Sequence, residues 1–258
     1  MRGPKRTLTT VANRGCPPDD RGGDPSMTLL ELEGVHTYYG ESHILQGVDL
    51  AVEDGEIVAL LGRNGVGKTT TLRSILQLTP PRTGIVRFEG EDITGAPTHD
   101  VAAGGIGWVP EERRMFGYLT VEENLRVAVA PDDDFEAMRE YAFSLFPDLE
   151  RFREKEARNL SGGQQQMVAI ARGMVGDNDL LLVDEPSEGL APQIVEQVVE
   201  ALREASAETT MVLVEQNFPL AMDLADRFYL LDHGTVVESG STEGVTANDE
   251  TIRRYLSA

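Results

Sequence analysis

The residues with the clearest chemical spacing are Gly62-Arg63-Asn64-Gly65-Val66-Gly67-Lys68-Thr69-Thr70, which fit G-x-x-x-x-G-K-[ST]. Glycines at these positions let a loop turn its backbone N–H groups inward around a polyphosphate. Lys68 is spaced to reach the β- and γ-phosphates, and the Thr69 hydroxyl can ligate Mg²⁺. A second cluster is Asp184-Glu185, two carboxylates that follow the apolar run Leu180-Leu181-Leu182-Val183. An acid at such a strand tip can hold Mg²⁺, which suits Asp184, and the next can orient or polarise an attacking water, which suits Glu185. The alternative is a pair of solvated surface acids. Third, Ser161 is a natural N-cap for the helix after it, and Gly162-Gly163-Gln164 leave backbone N–H groups open to an anion. Fourth, Tyr38-Tyr39-Gly40 offers an aromatic face that could stack on an adenine ring or simply end a strand half-buried.

The elements that position these groups can be read from periodicity. Glu56 to Leu61 reads as a buried strand entering the glycine loop, and Thr70 to Leu76 as a helix leaving it. Short strands are predicted at 29–35, 48–53, 57–61 and 84–89, with Tyr38-Tyr39-Gly40 between the first two. From 95 to about 165 the chain turns helical and charge-rich. Within it, Ile106 to Val109 is a short strand stopped by Pro110, Glu111 to Leu119 is a loop, and Thr120-Val121-Glu122-Glu123 is a capping box. Asp132 to Phe146 reads as an amphipathic helix. Further strands are expected at 180–184, 211–214 and 227–231, the last turning through Asp232-His233-Gly234 into a hairpin. Helices fill 165–173, 191–205, 218–225 and 248–257 in this reading. Alternation of strand and helix predicts right-handed crossovers and an α/β fold with a mostly parallel core sheet.

Composition narrows the function. The 258 residues suit one α/β domain with a subdomain, and 40% hydrophobic residues describe an ordinary core. The net charge of −21, with 44 acidic against 23 basic side chains, argues against nucleic acid as a partner. It fits a surface adapted to high salt. The single Cys16 excludes an internal disulfide. No apolar run approaches the length of a membrane span. Residues 1–27 read as a disordered tail that is basic and rich in Pro and Gly. They are either a flexible arm or lie ahead of a start at Met27, and the second is favoured. The folded domain is expected over 28–258.

Together these motifs resemble those of ABC ATPases. Leu160-Ser161-Gly162-Gly163-Gln164, ahead of Asp184-Glu185 and well after Gly62, is similar to the family signature, and the likeness covers residues 28 to 258. It implies a nucleotide-binding domain with a parallel core sheet, an antiparallel β subdomain and a helical subdomain at about 95–165. In that family two such domains pair head to tail and sandwich ATP, so Ser161, Gly162, Gly163 and Gln164 would act in trans on a nucleotide held by the partner. By the same resemblance Tyr39 matches the adenine-stacking aromatic, Asp184 the Mg²⁺-associated acid and Glu185 the catalytic carboxylate. Val109 to Phe116, Asp184 to Pro192 and Val214-Glu215-Gln216-Asn217 look like the ATP-binding subunits of branched-chain amino-acid importers, specifically the second of their two ATPase subunits.

The resemblance implies a peripheral subunit on the cytoplasmic face of the membrane. Its partners would be a second ABC ATPase subunit (as heterodimer or homodimer), two permease subunits and, through the complex, a substrate-binding protein. Met115, Phe116 and Tyr118 would supply anchors for the permease or, alternatively, pack within the subdomain. Three positions depart from the general family pattern: Glu111 stands for a glutamine, Gln216 for a histidine, and Ala191 for an aspartate. Glu111 would still reach the metal or water region, and Gln216 can hydrogen-bond a γ-phosphate without carrying a proton. The alternatives are an importer ATPase for urea or short amides, a soluble ABC ATPase uncoupled from transport, and a regulatory nucleotide-binding module.

Overall fold

The computed structural model describes residues 28–112, 115–130 and 133–246. The tail at 1–27 and the helix expected at 248–257 lie outside these residues. Strands β1 (Thr28–Tyr39) and β2 (Ser42–Glu53) form a long hairpin. Next come β3 (Ile57–Leu61), helix α1 (Lys68–Ile75), β4 (Thr83–Phe88) and the two-residue β5 (Glu91–Asp92). Helix α2 (Thr98–Ala103) leads to β6 (Ile106–Val109), followed by α3 (Val121–Arg126), α4 (Phe135–Leu145) and α5 (Pro147–Glu150). The chain closes with α6 (Gly162–Met174), β7 (Leu180–Asp184), α7 (Pro192–Ala205), β8 (Thr210–Glu215), α8 (Phe218–Leu224), β9 (Arg227–Asp232) and β10 (Thr235–Ser241).

Two sheets result. One is antiparallel in the order β2-β1-β4-β5, and the other is six-stranded in the order β10-β9-β3-β8-β7-β6. Within the second, every pairing from β9 to β6 is parallel, and only β10 runs antiparallel. Its central strands read as unbroken apolar runs because both faces are covered. Alternation then sorts the side chains. Ile57, Ala59, Leu61, Leu181, Val183, Met211 and Leu213 face a core shared with α3, α4 and α6–α8. Val58, Leu60, Leu180, Leu182, Val212 and Val214 face a core shared with α1 and the antiparallel sheet. The six-stranded sheet is therefore the middle layer of three, and its carboxyl edge carries the chemistry.

The first hairpin is longer than its sequence implies. Tyr38 and Tyr39 belong to β1, with Tyr39 opposite Ser42, so they lie in the strand rather than between strands. Register shifts at Leu32/Val35 and Thr37/Tyr38 interrupt the two-residue alternation, which hides the continuation. In the segment 95–165, β6 belongs to the parallel sheet, and the helices that pack on α6 follow it. Helix α4 is capped by Asp134, whose carboxylate accepts from the N–H groups of Glu136 and Ala137. Asp132, the expected start, lies outside the described residues. The capping box at Thr120–Glu123 forms as its sequence predicts.

Candidate functional site

The glycine loop joins the buried end of β3 to the first turn of α1. Gly62 has φ 152°, and a Cβ there would lie 2.5 Å from the Leu231 carbonyl oxygen, so only glycine fits. The turn between β9 and β10 supports the loop from the far end of the chain. There the Gly234 N–H donates to the Val66 carbonyl at 2.9 Å, and a Cβ on Gly234 would strike the Ile44 oxygen. Gly67 precedes α1 with no side-chain cap, which leaves first-turn N–H groups directed at the loop mouth. Lys68 is almost fully buried. Its Nζ donates to the Gly62 oxygen at 2.9 Å and the Arg63 oxygen at 3.2 Å.

The acidic pair from β7 meets the loop. Glu185 Oε1 is 3.0 Å from Lys68 Nζ, and Thr69 Oγ1 donates to Asp184 Oδ1 at 3.3 Å. Asp184 is completely buried, and its Oδ2 has no hydrogen-bond partner among the described residues. Burial pushes its carboxyl up to about 6; the Thr69 hydrogen bond and Lys68 oppose this, while Glu111 and Glu185 add to it. Glu185 takes φ 45°, a left-handed conformation that costs a non-glycine residue roughly 1 kcal/mol or more. Its N–H donates to the Val214 oxygen at 2.9 Å, which holds the turn in place. A cavity of about 430 Å³ opens here, lined by Ile44, Asn64, Gly65, Gly67, Lys68, Thr69, Thr70, Glu111 and Glu185.

Ser161 to Gln164 are somewhere else. They form the exposed start of α6, where Ser161 Oγ accepts from the Gln164 N–H and Gln164 Oε1 accepts from the Ser161 N–H. None of the four lines the cavity. Gly163 also has a packing reason, since a Cβ there would press within 3.0 Å of Ile194 on α7. The apolar face of α6 (Met167, Val168, Ile170 and Ala171) is core.

The ABC transporter family pattern matches residues 45–188. The chain belongs to that family. Over 231 residues it is 40% identical to the high-affinity branched-chain amino acid transport ATP-binding protein BraG of Pseudomonas aeruginosa, covering 88% of this chain and 99% of BraG. It is 35% identical to the probable branched-chain amino acid transport ATP-binding protein LivF of Archaeoglobus fulgidus, covering 86% and 96% of the two chains. Among solved structures, it superposes with TM-score 0.73 and 28% identity on a dimeric ATP-binding cassette in a post-hydrolysis state with ADP and phosphate, covering 84% and 100%. The chain is thus an ABC ATPase with the fold of a P-loop nucleotide-binding domain, and ABC ATPases work as dimers with permease subunits.

Of the residues singled out in sequence, the structure brings Lys68, Thr69, Thr70, Asp184, Glu185 and Glu111 together. It does not bring in Tyr39 or Gln216. Tyr39 is 42% exposed, and its hydroxyl takes hydrogen bonds from Arg73 at 3.3 Å and Thr79 at 3.4 Å outside the cavity lining. Gln216 is exposed just beyond β8. Among the groups not foreseen, Ile44 lines the cavity from β2, where the irregular hairpin conceals its orientation. Asn124 is another: it is fully buried, accepts from the Phe116 N–H, and donates to the carbonyls of Phe116, Leu119 and Thr120. It thereby fastens the loop that exposes Phe116 and Tyr118, while Met115 packs on the core. In sequence it is one polar residue in a polar helix.

Proposed function

We propose that this ABC ATPase powers an importer for branched-chain amino acids, seated at the cytoplasmic face of the membrane. It would be paired there with a second ATPase subunit, two permeases and a substrate-binding protein. The observation that carries the reading is 40% identity across 99% of BraG, in a chain whose loop lysine, Thr69 and acidic pair stand in mutual contact. Among the described residues no helix is long and apolar enough to cross a membrane, so the membrane-spanning path belongs to partners in this reading. The loop with Phe116 and Tyr118 exposed is the surface offered to the permease.

ATP would enter the 430 Å³ cavity with its phosphates against the loop N–H groups. Tyr39, exposed near the outer flank of α1, would carry the adenine. The γ-phosphate competes with Glu185 for Lys68, because the ammonium cannot serve both at full strength. Transfer of Lys68 to phosphate frees Glu185 to polarise the attacking water. Gln216 would hydrogen-bond the γ-phosphate, and Ser161, Gly162, Gly163 and Gln164 of the partner domain would close over it. Opening and closing of the pair then passes to the permeases.

The residues present fit Mg²⁺. Asp184 Oδ2 is buried with no hydrogen-bond partner among the described residues, Asp184 Oδ1 accepts from the Thr69 hydroxyl, and Thr69 and Glu111 line the same cavity. No larger cluster of ligating side chains is placed to hold a metal among those residues. Magnesium is usually held by one or two protein oxygens plus substrate phosphates, which this donor set provides. When bound it would neutralise phosphate charge as the terminal bond breaks.

The test is co-purification of the chain from membranes with permease subunits, then uptake in vesicles loaded with ATP. Leucine, isoleucine or valine uptake that vanishes in Lys68→Ala is expected. Uptake of urea or a short amide instead would overturn the substrate, and no association with a permease would overturn the transport role.

A further inference from the structure

We propose that Glu215 is a positioning residue of the hydrolytic centre, its buried carboxylate tying the turn after Glu185 to the turn that carries Gln216. This rests on the reading of Glu185 and Gln216 as hydrolytic groups.

Glu215 is the last residue of β8, level with Leu61 at the end of β3, and only 2% exposed. An acid in such a position is costly unless its oxygens are satisfied. Both are. Oε1 accepts from the Ser187 N–H at 3.2 Å, and Oε2 accepts from the Asn217 N–H at 3.1 Å. Burial pushes the carboxyl up, while these bonds from Ser187 and Asn217 pull it back.

The two donors belong to different functional turns. Ser187 lies two residues beyond Glu185, in a turn closed by the Glu188 N–H to the Glu185 oxygen at 3.2 Å. That turn is pinned to β8 twice, through the Val214 oxygen accepting from the Glu185 N–H and through Glu215 Oε1. The left-handed backbone of Glu185 therefore has its restraint supplied by two consecutive residues of β8. Asn217 follows Gln216 and caps α8, its Oδ1 accepting from the Leu220 N–H at 3.4 Å. One carboxylate thus sets how far Gln216 stands from Glu185. An ionised carboxylate accepts at both oxygens, whereas a glutamine has one acceptor and one donor group, so Glu215→Gln must set a donor against one of the two N–H groups.

The experiment uses the ATPase assembled with its permeases and measures phosphate release against ATP concentration. The wild type is compared with Glu215→Gln, Gln216→Ala and the double variant, with nucleotide affinity and Tm alongside. Glu215→Gln is expected to lower kcat about tenfold, as small displacements of reacting groups do. KM and nucleotide affinity should stay within about twofold. In the Gln216→Ala background the same change should cost less than about twofold, because the two residues act as a unit. Unchanged kcat in Glu215→Gln overturns the proposal. So does a full tenfold loss that persists beside Gln216→Ala, or a loss shared equally by nucleotide affinity and Tm. Glu215→Asp, which keeps the charge and withdraws its reach, carries the same comparison if the glutamine variant does not fold. Glu185→Gln run in parallel separates the two readings. Wild-type hydrolysis there would reject the role of Glu185 itself, whereas a dead Glu185→Gln beside a normal Glu215→Gln rejects only the positioning role.

Discussion

The glycine loop with its acidic pair and the start of α6 are both proposed phosphate sites, yet they are built in opposite ways. At the loop, Lys68 and Asp184 are buried and Glu185 is nearly so, and Lys68 and Glu185 pair directly at the wall of a cavity. At α6, Ser161 and Gly162 are exposed, and the side chains of Ser161 and Gln164 each accept from the other's backbone N–H in a capping box instead of converging on a pocket. A buried cluster of charges is assembled at a cost in solvation and needs its ligand to balance it. A capped helix start is stable by itself and can present its dipole to another molecule. In the proposed reading the first region would hold nucleotide within the chain, and the second would act across an interface.

The largest expected effect lies in the buried region. Glu185→Gln should lower phosphate release by about two orders of magnitude or more while nucleotide still binds. Such a variant should accumulate as a nucleotide-bound dimer, seen by size-exclusion chromatography with ATP. Hydrolysis at the wild-type rate would remove Glu185 from its role and end the contrast between the regions.

A comparison of Lys68→Ala with Ser161→Ala sharpens it next. Loss of the ammonium removes charge-assisted bonds to phosphate and should weaken nucleotide binding to the isolated chain about a hundredfold. Ser161→Ala should leave that affinity within about twofold, while lowering stability by roughly 1 kcal/mol through the lost cap. Titration with a fluorescent nucleotide reads both. Equal losses would mean that the α6 start reaches the nucleotide of its own chain.

How much of this was legible in sequence depended on whether the relevant neighbours are close along the chain. The glycine loop, the buried strands and the acids at the tip of β7 declare themselves because each is contiguous and its apolar run is unbroken. The contact between Lys68 and Glu185 does not, since it exists only because β3 and β7 flank β8 in one parallel sheet. For Glu215, which follows Met211-Val212-Leu213-Val214, only the fold shows two N–H groups waiting for its carboxylate. Tyr39 lies at the end of a strand that bulges had made look shorter.

Acidity supplies a third way to separate the regions. The Asp184 carboxyl is raised from 3.8 to about 6 in the folded chain, so the folded state binds this proton more tightly than the unfolded one. Without nucleotide or metal, its contribution is most favourable below pH 4 and is lost as pH climbs towards 6. The loss amounts to roughly 3 kcal/mol at most. Urea denaturation in EDTA should show stability falling over that window, and Asp184→Asn should flatten the fall. A fall of equal depth in Asp184→Asn would place the titration elsewhere.

Salt gives the smallest effect and tests exposure directly. With a net charge of −21, the surface repels itself, and rising KCl should raise Tm by screening it. The Lys68–Glu185 pair, with side chains only 4% and 10% exposed, lies largely beyond the reach of that screening. The difference in Tm between wild type and Glu185→Gln should therefore be the same in dilute buffer and in molar KCl. Arg203, by contrast, reaches Glu200 at 3.1 Å and Asp223 at 2.8 Å on an open surface. Arg203→Ala should cost under about 1 kcal/mol in dilute buffer and nothing measurable in molar salt. A flat Tm against KCl would reject the high-salt surface. A Glu185→Gln difference that shrinks with salt as Arg203→Ala does would show that water and ions reach the pair, and that the site is less closed than its buried groups imply.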